Sequence, residues 1–348
     1  MKAKLERIDL QFINPGKTSR GTLYSKPSWI LLLQDNGRIG AGECSVIPGL
    51  NPEYDEDYEN RLLQLVNQIN SGNVPDLIDL DPWPSIRFGL EMALTDLKQQ
   101  PCGVLFPSDF TKGKEGIPIN GLIWMGSKEE MQQRIAEKLD QGFRVLKLKV
   151  GALDFEEELS LLKSIRSQFS PADLEIRLDA NGAFSPDDAL EKLKKLKTFH
   201  IHSIEQPVKP RQWDAMAGLC ESSPIAIALD EELIGVHTIQ DKQELLDHVG
   251  PHFIILKPSL LGGFEKSSEW IDAATRSGVG WWATSALESN IGLSAIAQWV
   301  FTYKSTMVQG LGTGGVFSNN YVAPVYLRNS TLRFDPSRKI EVVNAFKF

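Results

Sequence analysis

The sequence predicts an α/β protein in which an α+β domain precedes a (β/α)8-type barrel. From about residue 116, short β-type runs alternate with amphipathic helical stretches, as a parallel sheet with crossover helices requires. There are eight such runs within about 200 residues, which matches the compact end of the size range of these barrels. The first 115 residues instead show antiparallel strand and turn signals followed by helical patterns.

The composition is that of an ordinary globular protein, with 348 residues, 42% hydrophobic and 24% charged residues. This length is sufficient for two domains. The net charge of −8 argues against a nucleic acid or an anionic membrane as partner, because both require a basic surface. The candidate site residues described below, and not the net charge, lead us to expect a small-molecule carboxylate as partner. The oligomeric state stays open.

The cysteines and the apolar runs indicate the cellular location. Cys44, Cys102 and Cys220 are odd in number and far apart, which fits a reducing cytoplasm better than a disulfide framework. The apolar run at residues 29–33 is far shorter than the ~20 residues that span a bilayer. Residues 1–7 lead into no signal-peptide stretch, so we expect a cytoplasmic protein.

The first domain is expected to comprise residues 1–115, together with a C-terminal return at residues 321–348. Alternating patterns predict strands at 4–12 and 24–34, and a hairpin turn follows at 35–38. Helical patterns occupy residues 53–69 and 85–99. Residues 14–21, which carry Lys17 and Arg20, suit a mobile flap and a solvated hairpin loop equally well.

The barrel is expected to occupy residues 116–320. Its strands are predicted at residues 119–125, 144–150, 174–178, 203–205, 225–229, 253–256, 280–283 and 307–310. Active sites of such barrels form at the carboxyl ends of the strands, so the polar residues that close these runs are the candidates. In chain order they are Lys147, Lys149, Asp179, Glu205, Asp230 and Lys257. From Lys149 onward, one β/α unit separates each candidate from the next.

The third, fourth and fifth strands are neighbours, so Asp179, Glu205 and Asp230 are expected to converge. Such an oxygen-rich set is what Mg²⁺ prefers, with Mn²⁺ as a substitute. Three close carboxylates would also repel one another strongly without a cation. The sequence therefore predicts a metal site held by these three residues.

The second and sixth strands lie opposite each other in a ring of eight. Lys149 and Lys257 are therefore expected to face each other across the cavity, one on either side of a small flat anion. Lys147 shares the face of Lys149, because side chains alternate along a strand. Its charge, together with the metal, is expected to lower the pKa of Lys149 so that this amine acts as a base.

Each candidate taken singly has an ordinary explanation as a helix cap, an ion-pair partner or a solvated rim residue. The five candidates from Lys149 to Lys257, which are in register on consecutive strands, are harder to explain in this way. Arg177 is explained equally well as a partner behind the carboxylates or as an ion pair inside the barrel. Asn181 is either a polar site residue or a turn residue before Gly182.

Five segments resemble the enolase superfamily: LKLKVG at 146–151, RLDANG at 177–182, IEQP at 204–207, LDE at 229–231 and LKP at 256–258. The Lys-x-Lys pattern with a lysine on the sixth strand resembles the muconate-lactonizing subgroup. The seventh strand ends in TSALES at 284–289, without the His that serves as base in another subgroup. TSRG at 18–21 and GECSVIPGL at 42–50 are similar to segments of the o-succinylbenzoate synthase family, although Val46 and Leu50 depart from its pattern.

The resemblance implies a modified (β/α)7β barrel with an α+β capping domain, and a Mg²⁺-dependent lyase of menaquinone biosynthesis. The substrate would be 2-succinyl-6-hydroxy-2,4-cyclohexadiene-1-carboxylate, from which Lys149 removes the proton α to the ring carboxylate. The same lysine would protonate the departing hydroxyl in a syn dehydration, while the metal holds the enediolate. Lys257 would stabilise the anion by charge and cation–π contact. The candidate contacts of the succinyl carboxylate are Arg20, Lys17, Ser285 and Gly312.

Several alternatives remain open. An N-acylamino acid (N-succinylamino acid) racemase of the same subgroup would use the same metal and both lysines. A dipeptide epimerase is disfavoured, because the segment LGTGG at 311–315 has no acidic pair. A Schiff-base aldolase on Lys257 would leave the three acids without a purpose. The non-enzymatic alternative is a barrel that serves as a metal- or ligand-binding module.

Overall fold

The computed structural model describes residues 1–18, 21–151 and 154–340. Its first part is an antiparallel sheet in the order β1-β2-β3. The strands are β1 (Lys2–Thr18), β2 (Gly21–Asp35) and β3 (Arg38–Ser45). Asn36 and Gly37 join β2 to β3, and both have the positive φ that a tight hairpin turn requires.

Two helices pack on this sheet, α1 (Tyr58–Asn70) and α2 (Pro84–Lys98), with a 3-10 turn at Leu77–Leu80 between them. Helix α2 lies very close to β3, since a Cβ added to Gly42 would lie 1.9 Å from the carbonyl oxygen of Gly89. Helix α1 starts later than the predicted residue 53. The Glu53 carboxylate instead accepts hydrogen bonds from the Ser85 backbone N–H and the Asn51 amide.

The hairpin arm of β1 and β2 is longer than predicted. Instead of a loop from residue 14, β1 continues to Thr18 after a register shift between Gln11 and Gly16. Gly16 packs on Trp124, because an added Cβ would lie 3.4 Å from that indole ring. Ser19 and Arg20 lie outside the described residues. The arm therefore reaches from the first sheet towards the barrel.

After α2, the short strand β4 (Ile117–Pro118) leads into a sheet of seven parallel strands in sequence order. These are β5 (Gly121–Ile123), β6 (Val145–Lys149), β7 (Glu175–Asp179), β8 (Ser203–Glu205), β9 (Ala226–Leu229), β10 (Phe253–Leu256) and β11 (Gly280–Ala283). The connecting helices are α3 (Lys128–Asp140), α4 (Phe155–Arg166), α5 (Pro186–Lys197), α6 (Trp213–Ser222), α7 (Ile239–Val249), α8 (Pro258–Leu261), α9 (Phe264–Arg276) and α10 (Asn290–Thr302). None of the helices in the described residues has the length and the apolar character that a bilayer span requires.

The barrel is closed by the segment predicted as its eighth strand. This segment forms only parallel bridges, from Gln309 to Ile119 and from Gly310 to Thr284. The Gly310 N–H donates to the carbonyl of Ala283 at 2.7 Å, so both edges of the seven-stranded sheet are joined. No helix follows in residues 311–340, and the architecture is therefore a (β/α)7β barrel with a capping domain.

A third sheet, in the order β12-β13-β4, contains β12 (Val325–Arg328) and β13 (Thr331–Phe334). The ring of Phe334 packs on Phe110 with centroids 5.7 Å apart. Ile340 lies against Gly103. The chain after the barrel thus returns to the segment that precedes β4. Of the C-terminal return expected at 321–348, residues 341–348 lie outside the described residues.

Candidate active site

Three of the predicted residues lie side by side at the carboxyl ends of neighbouring strands. The parallel pairing of β6, β7 and β8 places Lys149 opposite Asp179, and Asp179 opposite Glu205. Asp230 and Lys257 each follow their strands, β9 and β10, by one residue. The equal phase of the β/α units therefore brings these side chains to one end of the barrel.

Ammonium groups lie directly between the carboxylates. Nζ of Lys147 is 2.9 Å from Oδ2 of Asp179 and 2.5 Å from Oε2 of Glu205. Nζ of Lys149 is also 2.9 Å from Oδ2 of Asp179. Lys257 donates a hydrogen bond to Oδ2 of Asp230. The three acids thus form one buried row, and each acid contacts at least one of the three lysines.

Burial and charge act in opposite directions on these groups. Burial alone would raise the pKa of Asp179, but the nearby ammonium groups outweigh it and hold that pKa below its usual range. Burial would likewise raise the pKa of Asp230, but nearby ammonium groups, chiefly that of Lys257, hold it below its usual range. By contrast, burial and the charge of Asp179 raise the pKa of Glu205 well above its usual range. Burial would lower the pKa of Lys147, but the carboxylates raise it.

The donor set fits a divalent cation. Oε1 of Glu205 is buried and has no hydrogen-bond partner among the described residues. Asp179, Glu205 and Asp230 would supply only oxygen ligands, which Mg²⁺ prefers. Within the described residues, no group of three His, Cys, Asp or Glu side chains has the arrangement of a ready metal cluster. In this conformation the Lys147 ammonium contacts Oδ2 of Asp179 and Oε2 of Glu205, two oxygens that these acids could offer to a cation.

Lys149 and Lys257 stand at opposite ends of the acidic row. Their strands are four positions apart in the sheet order, and the bridges at Gln309 and Gly310 close the ring behind them. Both lysines line the same cavity. A flat molecule held over the acids would therefore have an amine near each face.

Asn181 contacts one of these lysines directly. Its Oδ1 accepts a hydrogen bond from Nζ of Lys149 at 2.6 Å, and its Nδ2 donates to Oε1 of Glu231 at 3.0 Å. Its φ is 44°, so it is also a turn residue. The two sequence-based explanations of Asn181 are therefore compatible. Glu231, a buried neighbour of the site, was not singled out from the sequence.

Of the two explanations of Arg177, its contacts agree with the ion pair inside the barrel and do not include the three carboxylates. Its Nε donates to Oε1 of Glu175 at 2.7 Å, and its Nη1 donates to the carbonyl of Val308 at 2.9 Å. The guanidinium also lies 4.4 Å from the ring centroid of Trp282. Arg177 shares a strand face with Asp179 but lies one layer deeper, and its long side chain extends away from the carboxylates. Its described contacts are those of an ion pair inside the barrel.

A cavity of about 160 Å³ lies above the lysines. Ser285 and Gly312 line it from barrel loops, whereas Leu23 and Ile47 line it from the first domain. Ser285 Oγ also accepts a hydrogen bond from the Thr313 hydroxyl at 2.6 Å. The backbone of Lys17 pairs with Thr22 in the hairpin arm. Arg20 lies outside the described residues, so contacts of Lys17 and Arg20 with a substrate stay predictions.

Two further residues of the cavity wall were not predicted from the sequence. The ring centroid of Trp124 lies 6.0 Å from Nζ of Lys149. Asn120 is buried, and its Oδ1 has no hydrogen-bond partner among the described residues. Both flank β5, the first barrel strand. Extending the search for site residues to the ends of that strand would have found Trp124.

A closed barrel with three acids between two opposed lysines defines an enolase-type enzyme. Residues 130–324 match the family described as Enolase C-terminal domain-like, and residues 18–97 match the MenC N-terminal domain. The o-succinylbenzoate synthase of Desulfotalea psychrophila is 48% identical over 92% of this chain and 95% of that protein. The chain therefore belongs to the o-succinylbenzoate synthase family of the enolase superfamily.

Solved structures agree with this assignment. The crystal structure of MenC from Desulfotalea psychrophila has a TM-score of 0.85 and 45% identity, covering 96% of this chain and 99% of that one. The L-Ala-D/L-Glu epimerase of Bacillus subtilis has a similar TM-score of 0.84 at only 22% identity, again over 96% of both chains. That second similarity shows the fold alone.

Proposed function

We propose that the protein catalyses the o-succinylbenzoate synthase reaction. This is the syn dehydration of 2-succinyl-6-hydroxy-2,4-cyclohexadiene-1-carboxylate to 2-succinylbenzoate, and it makes the protein a lyase. The observation that carries the proposal is the 48% identity to a synthase over 92% of the chain. The alternative N-succinylamino acid racemase would use the same lysines and acids, so these residues do not separate the two reactions.

The first domain supports the synthase over the racemase. Residues 18–97 match the MenC N-terminal domain. Thr22, Leu23 and Leu50 of this segment line the cavity above the lysines. The segment that matches the MenC N-terminal domain therefore also contributes to the wall of the cavity. We assign residues 1–115 and 321–348 to this capping domain and residues 116–320 to the barrel.

Lys149 is the proposed acid–base catalyst. Its amine would remove the proton α to the ring carboxylate, and the C–H electrons would form a ring double bond as the C–O bond breaks. The ammonium would then protonate the departing hydroxyl, so that water leaves and the ring becomes aromatic. Hydrogen bonds to Asp179 at 2.9 Å and Asn181 at 2.6 Å support this role, because they orient the amine.

Lys257 would act on the other face of the ring. Its ammonium, hydrogen-bonded to Asp230, would stabilise the negative charge that develops when the proton is removed. Lys147 would order the central acids through its contacts with Asp179 and Glu205, and its charge favours the carboxylate form of each. A divalent cation on Asp179, Glu205 and Asp230, which we propose is Mg²⁺, would supply further positive charge to the substrate carboxylate.

The succinyl carboxylate is proposed to bind at the rim of the cavity. Ser285 and the backbone of Gly312 line the barrel side of this rim. Lys17 and Arg20 are proposed to approach from the hairpin arm, which would place two positive charges near a free carboxylate. We further propose a role in menaquinone biosynthesis in the cytoplasm. The three described cysteines, which are free thiols, support a reducing compartment.

A direct assay tests the proposal. Purified protein with Mg²⁺ is supplied with the cyclohexadiene substrate, and formation of the aromatic product is followed by absorbance. N-succinylamino acids are tested in parallel by polarimetry. We expect rapid dehydration that is lost in Lys149→Ala. A rate on the amino acids alone would instead establish the racemase.

A further inference from the structure

Lys26 is a fully buried cation that the proposed reaction does not use. It lies in β2 of the capping domain and is 0% exposed. Its ammonium donates to the hydroxyl of Ser45 and, at 3.0 Å, to the carbonyl oxygen of Leu287. Leu287 lies in the loop after β11 and lines the cavity above the lysines. A charge of the capping domain therefore contacts the wall of the active-site cavity.

Two buried carboxylates act on Lys26 by their charge. Glu43 of β3 and Glu288 of the loop after β11 are both 0% exposed. Burial lowers the pKa of Lys26, and the charges of these two carboxylates oppose that shift. Glu43 also accepts hydrogen bonds from the Ser289 hydroxyl at 2.6 Å and the Gly292 backbone N–H at 2.9 Å, at the start of α10. Since an isolated buried charge is costly, this network favours one position for the ammonium group.

Leu287 has a backbone conformation that needs external support. Its φ is 62°, in the left-handed region, which is sterically unfavourable for a non-glycine residue. Its N–H donates to Oγ of Ser285 at 2.9 Å, and its carbonyl accepts from Lys26. Its side chain packs in the same cluster as Leu10 and Phe317. The left-handed backbone is therefore held on both sides of the residue.

We propose that Lys26 is a positioning residue for the dehydration reaction. By holding the Leu287 carbonyl, it keeps Ser285 and Leu287 in the conformation that forms the cavity wall. The proposal rests on the proposed function and adds a residue that does not touch the substrate. Lys149 and Lys257 are held by their own carboxylates, so loss of Lys26 weakens substrate binding more than the chemical step.

The first test compares Lys26→Met with Lys242→Met. Lys242 is also 0% exposed, and its ammonium is bonded to Glu269 and the Lys266 carbonyl, away from the cavity. Both variants lose a buried ammonium, so both are expected to unfold at lower temperature. Only Lys26→Met is expected to raise KM, by about tenfold, whereas Lys242→Met keeps KM within about twofold of wild type.

A double-mutant cycle with Leu287→Gly tests the route of the effect. Glycine adopts positive φ without strain, so the loop no longer requires the Lys26 hydrogen bond to keep its conformation. We expect Lys26→Met to raise KM by less than about threefold in the L287G background, against about tenfold in the wild-type background. Equal effects in the two backgrounds would overturn the proposed route through Leu287.

Further outcomes separate the two proposals. A KM that Lys26→Met leaves unchanged in an active enzyme overturns the role of Lys26 alone. A folded wild-type protein without dehydratase activity contradicts the proposed function instead. If Lys26→Met does not fold, Lys26→Gln replaces it, because its amide keeps a polar group beside Ser45 and is too short to hold Leu287. For Lys26→Gln we expect the same rise in KM as for Lys26→Met, and the same reduction of that rise in the Leu287→Gly background.

Discussion

At the residue scale, the site is a set of charges that depend on one another. The Asp179 carboxylate contacts both Lys147 and Lys149, and the Glu205 carboxylate contacts Lys147. The types and the chain order of these acids and lysines could be predicted, because they lie at or near the end of a strand. Their individual partners could not be predicted, because the direction of a long side chain depends on its depth in the barrel. Arg177 is the clearest example, since it pairs with Glu175 instead.

Arginine substitutions distinguish the roles of the two opposed lysines. Lys149→Arg is expected to lower kcat by about 10³-fold, because a guanidinium does not give up its proton and cannot act as the base. Lys257→Arg keeps the positive charge and is expected to stay within about tenfold of wild type, whereas Lys257→Ala falls by about 10²-fold. Steady-state kinetics measure all three variants. Similar losses in the two arginine variants would contradict the assigned roles.

Metal removal tests the three acids. Dialysis against EDTA is expected to abolish activity, and added Mg²⁺ to restore it. Glu205→Gln removes one ligand charge and is expected to weaken Mg²⁺ binding at least about tenfold by calorimetry. Glu175→Gln is the matched control, because Glu175 pairs with Arg177 outside the acidic row. Equal affinities in the two variants would argue against Glu205 as a ligand.

At the scale of elements, the barrel strands were predicted within a few residues, because each forms a short apolar run between helices. The eighth segment is shorter than predicted and forms only bridges at Gln309 and Gly310. The hairpin arm was predicted as a loop because residues 14–21 are small and polar. Its pairing and its contact with Trp124 hold part of that segment in a strand.

Glycine substitutions test the packing of elements. Gly42→Ala places a Cβ 1.9 Å from a backbone oxygen of α2, and we expect a loss of more than about 3 kcal/mol in the free energy of unfolding. Gly218→Ala is the control, because Gly218 lies within α6 and, apart from adjacent residues and the nearby backbone of α6, no described atom lies within 4 Å of its added Cβ. That variant is expected to gain about 0.5–1 kcal/mol. Urea unfolding measures both changes.

At the scale of the whole molecule, buried charges join the capping domain to the barrel. Arg87 of α2 donates to the Gly262 carbonyl and to Glu265 of α9. Glu91 of α2 accepts hydrogen bonds from the Phe264 and Glu265 backbone N–H groups at the start of α9. The position of the capping domain over the site is therefore held at several points far from the cavity.

Glu91 gives this junction a pH dependence. Burial raises its pKa from 4.5 to about 7. Below pH 4.5 both the folded and unfolded chains keep the proton, and between pH 4.5 and 7 the unfolded chain releases it first. The folded state therefore loses up to about 3 kcal/mol of stability as pH rises through this window.

Urea unfolding between pH 4.5 and 7.5 measures this effect. Glu91→Gln is expected to show a flatter dependence of the unfolding free energy on pH than wild type. Glu191→Gln is the control, because the Glu191 side chain is 71% exposed, and it is expected to keep the wild-type slope. The same slope in all three proteins would show that Glu91 does not titrate differently in the folded and unfolded states.

The repeating β/α period of the sequence determined the barrel. It also determined that the lysines and acids lie at one level, because equal spacing places the strand ends at one edge. The resemblance in short segments determined the family. Only the folded chain decided contacts between distant segments, such as Lys26 with Leu287, 261 residues apart. Periodicity contains no information on loop conformation or on the depth that a long side chain reaches. These features depend on the packing of the capping domain against the barrel.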